Sequence, residues 1–265
     1  HIIGFAQYDA ETQQVIGKMG LELIYDEQLN GTDGYIEYVS NSSGYRLPGA
    51  QITTVPAEHG DNMYLTLNKQ IQMAMEESLA ESMTLFNTTK AWGGVVEVET
   101  GKILAMGGYP TFDPGTLEIE EYTLLGTQYV YEPGSTMKTF TYAAAIDSGV
   151  YDGTAIFDSA PFKMGISGGK AVRVYGDNYI EVINNANRRS WGYINYNKGF
   201  RYSSNVGIAS LLTERLSPAV FEEYLDAFGF FKPVGVDGLP EATGTKNFRY
   251  PIEKLSLGYG QGSSV

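Results

Sequence analysis

An α+β domain is what this sequence predicts, and three observations predict it. Helical patterning runs through "NKQIQMAMEESLAESMTLF" from Asn68 and through "NVGIASLLTERLSPAVFEEYLDAF" over residues 205–228. A third helical stretch, "STMKTFTYAAAIDSG", follows the pair Pro133-Gly134 and contains three consecutive alanines. Against these stands a hairpin signal, "AWGGVVEVETGKILAMGGYP". There Val95, Val96 and Val98, then Ile103, Leu104 and Met106, flank the turn "ETGK" with Gly101 at the bend.

Taken in order, residues 1 to about 60 read as extended segments broken by turns. "NGTDGY" and "SNSSGYRLPGA" supply the Gly, Asn, Asp and Ser that turns tolerate, and one short helix is expected near "LELIYDEQL". The helix from Asn68 to about Leu85 is expected to bury one stripe made of Ile71, Met73, Met75, Leu79, Met83 and Leu85. Residues 113–130 show no strong period. The helix from Ser135 is expected to end at Gly149. Residues 150–200, rich in Gly, Asn and Tyr, read as binding loops or an open cleft wall. Two helices divided near Ser217-Pro218 follow, and the end, "LSLGYGQGSSV", reads as a glycine-rich stretch.

The totals narrow the chemistry. Of 265 residues 43% are hydrophobic, enough for one large domain or a domain with an attached piece. Eighteen basic residues against 31 acidic ones give a net charge of −13, which argues against a nucleic-acid surface. There is no cysteine, so disulfides, thiol catalysis and Cys-based metal sites are excluded. With only His1 and His59 available, no His-ligated metal and no cofactor are expected. No run of about 18 apolar residues spans a membrane, and no signal peptide is present. A first residue His1 in place of Met makes the chain read as a piece of something longer.

Chemistry concentrates in "YEPGSTMKTF", residues 131–140. Ser135 and Lys138 are three apart, so on a helix they share a face, at the end where unpaired N–H groups favour a developing negative charge. A serine hydroxyl is a poor nucleophile until a base takes its proton, and no histidine is placed to do so. Lys138 can be that base only if its pKa falls, since an ordinary lysine is charged at neutral pH. The competing reading is an N-cap serine beside a solvated lysine. A second Ser-x-x-Lys, "SGGK" at 167–170, has two glycines between its ends and nothing to fix them together. "RYSSNVGIA" adds the chain's one Ser-x-Asn, Ser203-Ser204-Asn205, just before a helical run. Alone it is a helix start; with the first motif it offers a hydroxyl to pass protons and an amide to hold a peptide-like group.

These motifs, with "GLELIYDEQLNGTDG", "LTLNKQIQ", "TGKILAMGGYPTFDP" and "GYGQGSSV" in the same order, resemble the class B (monofunctional) penicillin-binding proteins over nearly the whole chain. The resemblance implies an α/β sandwich, a central antiparallel sheet flanked by helices. It implies a pedestal-linker segment over residues 1–55, β-rich, and a transpeptidase domain over residues 56–265. Ser135 resembles the acylated nucleophile, Lys138 its proton acceptor and Ser203 a proton relay. Asn205 resembles the side chain that contacts the substrate amide, with Gly134, Ser135 and Ser203 also lining the substrate site and the Ser135 N–H serving as one oxyanion donor. No Lys-Thr-Gly or Lys-Ser-Gly triplet occurs, and "TGTK" at 243–246 has the letters in the wrong order. The chain is therefore expected to stop short of that strand. The implied partners are a peptidoglycan stem peptide ending in D-Ala-D-Ala, β-lactam antibiotics and a glycosyltransferase of the division or elongation machinery. The implied place is the outer face of the bacterial cell membrane, anchored by an upstream helix. The rivals are a β-lactamase-like hydrolase and a non-catalytic β-lactam sensor or scaffold. "GYGQG" as a phosphate loop lacks the lysine such a loop needs.

Overall fold

The structure is a computed structural model that describes residues 1–236 and 238–265. Its chain gathers into two compact units, His1–Tyr129 with Gly235–Pro240, and Val130–Val234 with Glu241–Val265.

The first unit begins with an antiparallel hairpin, β1 (Phe5–Asp9) and β2 (Gln14–Met19). Its turn is held by the Asp9 carboxylate, which accepts from the N–H groups of Glu11 and Thr12 at 2.9 and 3.0 Å. The expected single helix near "LELIYDEQL" is two short ones, α1 (Gly20–Ile24) and α2 (Asp26–Leu29), broken at Tyr25. A second hairpin pairs β3 (Tyr35–Tyr38) with β4 (Ile52–Val55), every strand residue exposed.

Helix α3 (Lys69–Phe86) starts where Asn68 accepts from the N–H groups of Gln70 and Ile71, and stops at Asn87 in the left-handed region. Its covered stripe is narrower than expected. Ile71, Met75, Leu79 and Met83 recur every four residues and are half-buried, whereas Met73 and Leu85 face solvent. The hairpin read around "ETGK" is present as β5 (Ala91–Val96) and β6 (Ile103–Tyr109), with Gly101 at φ +73°. Gly93 of this hairpin faces Met75 and Leu79 of α3. After α4 (Leu125–Gln128), a small core of Leu21, Met106, Leu124 and Leu239 closes the unit.

The second unit holds the larger core. A 3-10 turn, Gly134–Thr136, leads into α5 (Met137–Asp147). The stretch expected to be irregular contains five short strands: β7 (Ile156–Asp158), β8 (Phe162–Ser167), β9 (Lys170–Arg173), β10 (Glu181–Ile183) and β11 (Tyr193–Asn195). They pair antiparallel in the orders β10-β8-β9 and β11-β7. Strands of three to six residues are too short to show the alternation that sequence patterning depends on. The second Ser-x-x-Lys copy is the β8–β9 turn, with Gly168 and Gly169 both at positive φ.

Helices α6 (Tyr196–Arg201), α7 (Asn205–Glu214), α8 (Pro218–Ala227) and α9 (Pro251–Gly258) complete the unit. The break at Ser217-Pro218 is an N-cap followed by Pro at the first helical position. Helix α7 is buried on all sides from Val206 to Leu212, the mark of a central helix. It packs in a core with Met137, Phe157, Phe162, Phe221, Leu225, Leu255 and Leu257, each side chain worth about 1.5–3 kcal/mol when fully buried. Helix α9 runs into the segment read as glycine-rich, ending at its first glycine, Gly258. Helices combined with antiparallel sheets make the fold α+β.

Candidate active site

Ser135 sits in the 3-10 turn immediately before α5, and its side chain is exposed. Lys138, one turn on, is 3% exposed and points back under the serine. Its Nζ donates to Ser135 Oγ at 3.1 Å, to Ser203 Oγ at 3.0 Å and to the Ser203 carbonyl at 2.6 Å. The two serines are 68 residues apart in sequence and meet only through this amine. All three acceptors are neutral, so these bonds bring no opposite charge to offset the loss of water around the ammonium. Burial accordingly lowers the Lys138 pKa from 10.5 to about 8. An amine so placed gives up its proton nearer neutral pH than an ordinary lysine does, as a general base must.

Backbone geometry fixes both serines. Gly134, at φ +58°, turns the chain so that Ser135 faces outward. Its N–H donates to the Gly260 carbonyl at 2.9 Å. Gly260, at φ +82°, lies so close that an added Cβ would overlap the Gly134 carbonyl. Two further ties hold the segment ahead of the serine: Glu132 accepts from the Gly262 N–H at 2.8 Å, and Tyr131 and Val265 exchange backbone bonds at 3.0 and 2.9 Å. Behind α5, Thr141 Oγ1 donates to the Gly258 carbonyl at 2.7 Å. "GYGQG" is thus the backing of the serine turn and not a phosphate loop. Ser203 itself adopts φ +52°, an uncommon value for a residue with a Cβ, in the link between α6 and α7.

The structure therefore brings Ser135, Lys138 and Ser203 together, with Gly134 shaping the approach. Asn205, at the first turn of α7, is half-buried and donates from Nδ2 to the Asn184 carbonyl at 3.0 Å. Sequence reading missed the residues that carry this part of the site. Ser204, 1% exposed, caps α7 by accepting from the Gly207 N–H at 2.9 Å and donates its own proton to Asn185. Asn185 lies 19 residues upstream, in a stretch with no period to mark it.

Residues 93–265 match the family model of the penicillin binding protein transpeptidase domain, and residues 5–65 match that of the penicillin-binding protein dimerisation domain. Stage V sporulation protein D of Bacillus subtilis is 28% identical over 100% of this chain and 39% of its own length. Penicillin-binding protein PbpB of Mycobacterium tuberculosis is 29% identical over 100% of the chain and 37% of its own. Among solved structures, penicillin binding protein 2X from Streptococcus thermophilus superposes with a TM-score of 0.75 at 29% identity, covering 100% of this chain and 38% of that one. This chain spans about two fifths of the length of such relatives. It belongs to the penicillin-binding protein transpeptidase family, and its relatives are the class B members.

Proposed function

We propose that the chain carries the catalytic serine of a peptidoglycan D,D-transpeptidase working through an acyl-enzyme. The observation that supports it best is the buried Lys138 amine, 3.1 Å from an exposed serine hydroxyl and 3.0 Å from a second one. In its neutral form the amine keeps two N–H groups for Ser203 and turns its lone pair to the Ser135 hydroxyl. Ser135 Oγ then attacks the carbonyl of the penultimate D-alanine of a stem peptide as its proton passes to Lys138. The oxyanion forms at the head of α5, where the Ser135 N–H is one donor. Collapse breaks the C–N bond, and the departing D-alanine amine receives the proton from Lys138 by way of the Ser203 hydroxyl. An amine on a neighbouring strand attacks the ester, gives up its own proton by the same route, and Ser135 Oγ leaves protonated. Asn205 and Gly134 contact the substrate's amide in this reading. A β-lactam acylates Ser135 in the same way, but its nitrogen stays tethered.

Within this reading residues 1–55 serve as pedestal linker and residues 56–265 as transpeptidase domain; the separate family-model matches, 5–65 and 93–265, support two parts of this kind. The protein works outside the cytoplasm, anchored in the bacterial membrane upstream, beside a glycosyltransferase that supplies the strands it joins. Intact mass after incubation with penicillin tests the chemistry. One adduct, lost in Ser135→Ala, is expected; no adduct, or one that survives the substitution, defeats it.

A further inference from the structure

Four hydrogen bonds converge on one buried amide beside the Ser203 turn. Asn185 is 5% exposed. Its Oδ1 accepts from the Ser204 hydroxyl at 2.8 Å and from the Val206 N–H at 3.2 Å. Its Nδ2 donates to the carbonyls of Ser159 at 3.0 Å and Arg189 at 2.9 Å. Both acceptor positions and both donors of the side chain are used, so the amide cannot turn over without placing like against like.

The consequence reaches the proposed catalytic groups on both sides. Ser204 separates Ser203 from Asn205, and its hydroxyl spends its one proton on Asn185 while accepting from Gly207. The residue before Asn185 supplies the carbonyl that holds the Asn205 amide. The Asn184-Asn185 pair thereby grips the Ser203-Ser204-Asn205 segment at two consecutive positions. The left-handed conformation at Ser203, unfavourable for a residue with a Cβ, persists because its surroundings fix it. The Ser203 carbonyl and hydroxyl must both stay within reach of Lys138 for the relay to work.

We infer that Asn185 is a positioning residue for acylation: it aims Ser203 and Asn205 at the Ser135–Lys138 pair without touching substrate. This rests on the transpeptidase reading above. Asn185→Leu keeps the size of the side chain but takes the partner from the Ser204 hydroxyl proton, the Val206 N–H and the Ser159 carbonyl in the interior, and from the Arg189 carbonyl nearer the surface. Asn185→Asp keeps the two acceptor bonds and turns a second oxygen on the Ser159 and Arg189 carbonyls.

The test is the rate of acylation by a fluorescent penicillin, split into initial binding and the first-order acylation step, with thermal midpoints for each variant. Phe221→Leu, in the same core but on α8, is the control for general destabilisation. The expected result is a first-order step reduced at least ~10²-fold in Asn185→Leu and ~10-fold in Asn185→Asp. Initial binding should be little changed, and Phe221→Leu should acylate normally at a comparable loss of midpoint. If Asn185→Leu does not fold, Asn185→Asp carries the comparison. Wild-type rates in the Asn185 variants, or losses matched by Phe221→Leu, overturn the inference. Failure of the wild-type protein to form an adduct would instead overturn the functional reading on which it stands.

Discussion

Lys138 has three N–H groups when protonated, and the three oxygens around it take all of them. The charged form is thus well bonded but poorly solvated, and burial wins, bringing the pKa down to about 8. Acylation needs the neutral amine, so its rate should climb about tenfold per pH unit up to about pH 8 and then level off. A pH profile of penicillin acylation, flat from pH 6 upward, would remove Lys138 from the role of base. Stability follows the same group. A lysine whose folded pKa lies below its unfolded value holds fewer protons when folded, in the window between about pH 8 and 10.5. Its contribution to stability therefore rises with pH across that window. Denaturant midpoints should shift in favour of wild type over Lys138→Met between pH 8 and pH 10. That variant should also acylate about 10²–10⁴-fold more slowly. Ser135 and Lys138 were legible in the sequence because their relation is local, three residues on one helical face. Ser203 was legible as a motif, but its place beside Lys138 comes from tertiary packing, in which α5 and α7 both lie against α9. Asn185 was not legible, because a hydrogen-bond partner 19 residues away leaves no periodic trace.

Short elements explain most of what sequence patterning misjudged. The strands β7 to β11 lie where loops were expected; β8 and β9 form a tight hairpin, while β10 and β11 pair with strands further back in the sequence. Helix α9 was hidden by the glycines that follow it, although "YPIEKLSLG" carries start signals. Pro251 stands at the first helical position, and the Glu253 carboxylate accepts from the Tyr250 N–H at 2.8 Å. That helix and the glycines after it press against the serine turn, so Gly260→Ala should disturb chemistry it never touches. Overlap with the Gly134 carbonyl, together with the positive φ, should cost about 1–3 kcal/mol and slow acylation by at least ~10-fold. An unchanged rate would mean that the turn can yield. A purely local effect is expected at the start of α8. Ser217→Ala removes the cap on Val220 and should lower stability by about 1 kcal/mol, read by denaturant titration, while acylation is unaltered.

For the molecule as a whole, the question is what becomes of the acyl group once Ser135 holds it. A hydrolase would release it to water and turn over; the transpeptidase reading expects about one β-lactam trapped per chain, with slow release. Steady-state consumption of a chromogenic β-lactam, measured against the amount of covalent label, separates the two outcomes. The acidic balance, 31 carboxylates against 18 basic side chains, is uneven along the chain. Between Glu181 and Glu214 the sequence has no acidic residue and carries Arg188, Arg189, Lys198 and Arg201. Ser203 lies within that segment, so the sequence around it is more basic than the chain's overall charge suggests.

The shared amine between two hydroxyls sets a limit on how such a protein can evolve under antibiotic selection. In the transpeptidase reading, drug and natural donor draw on the same three side chains for the same proton transfers, so altering any of them would harm wall synthesis as much as inhibition. Escape has to be written in the scaffolding that times and angles those groups, in places such as the glycine contact behind Ser135 or the amide grip beneath Ser203.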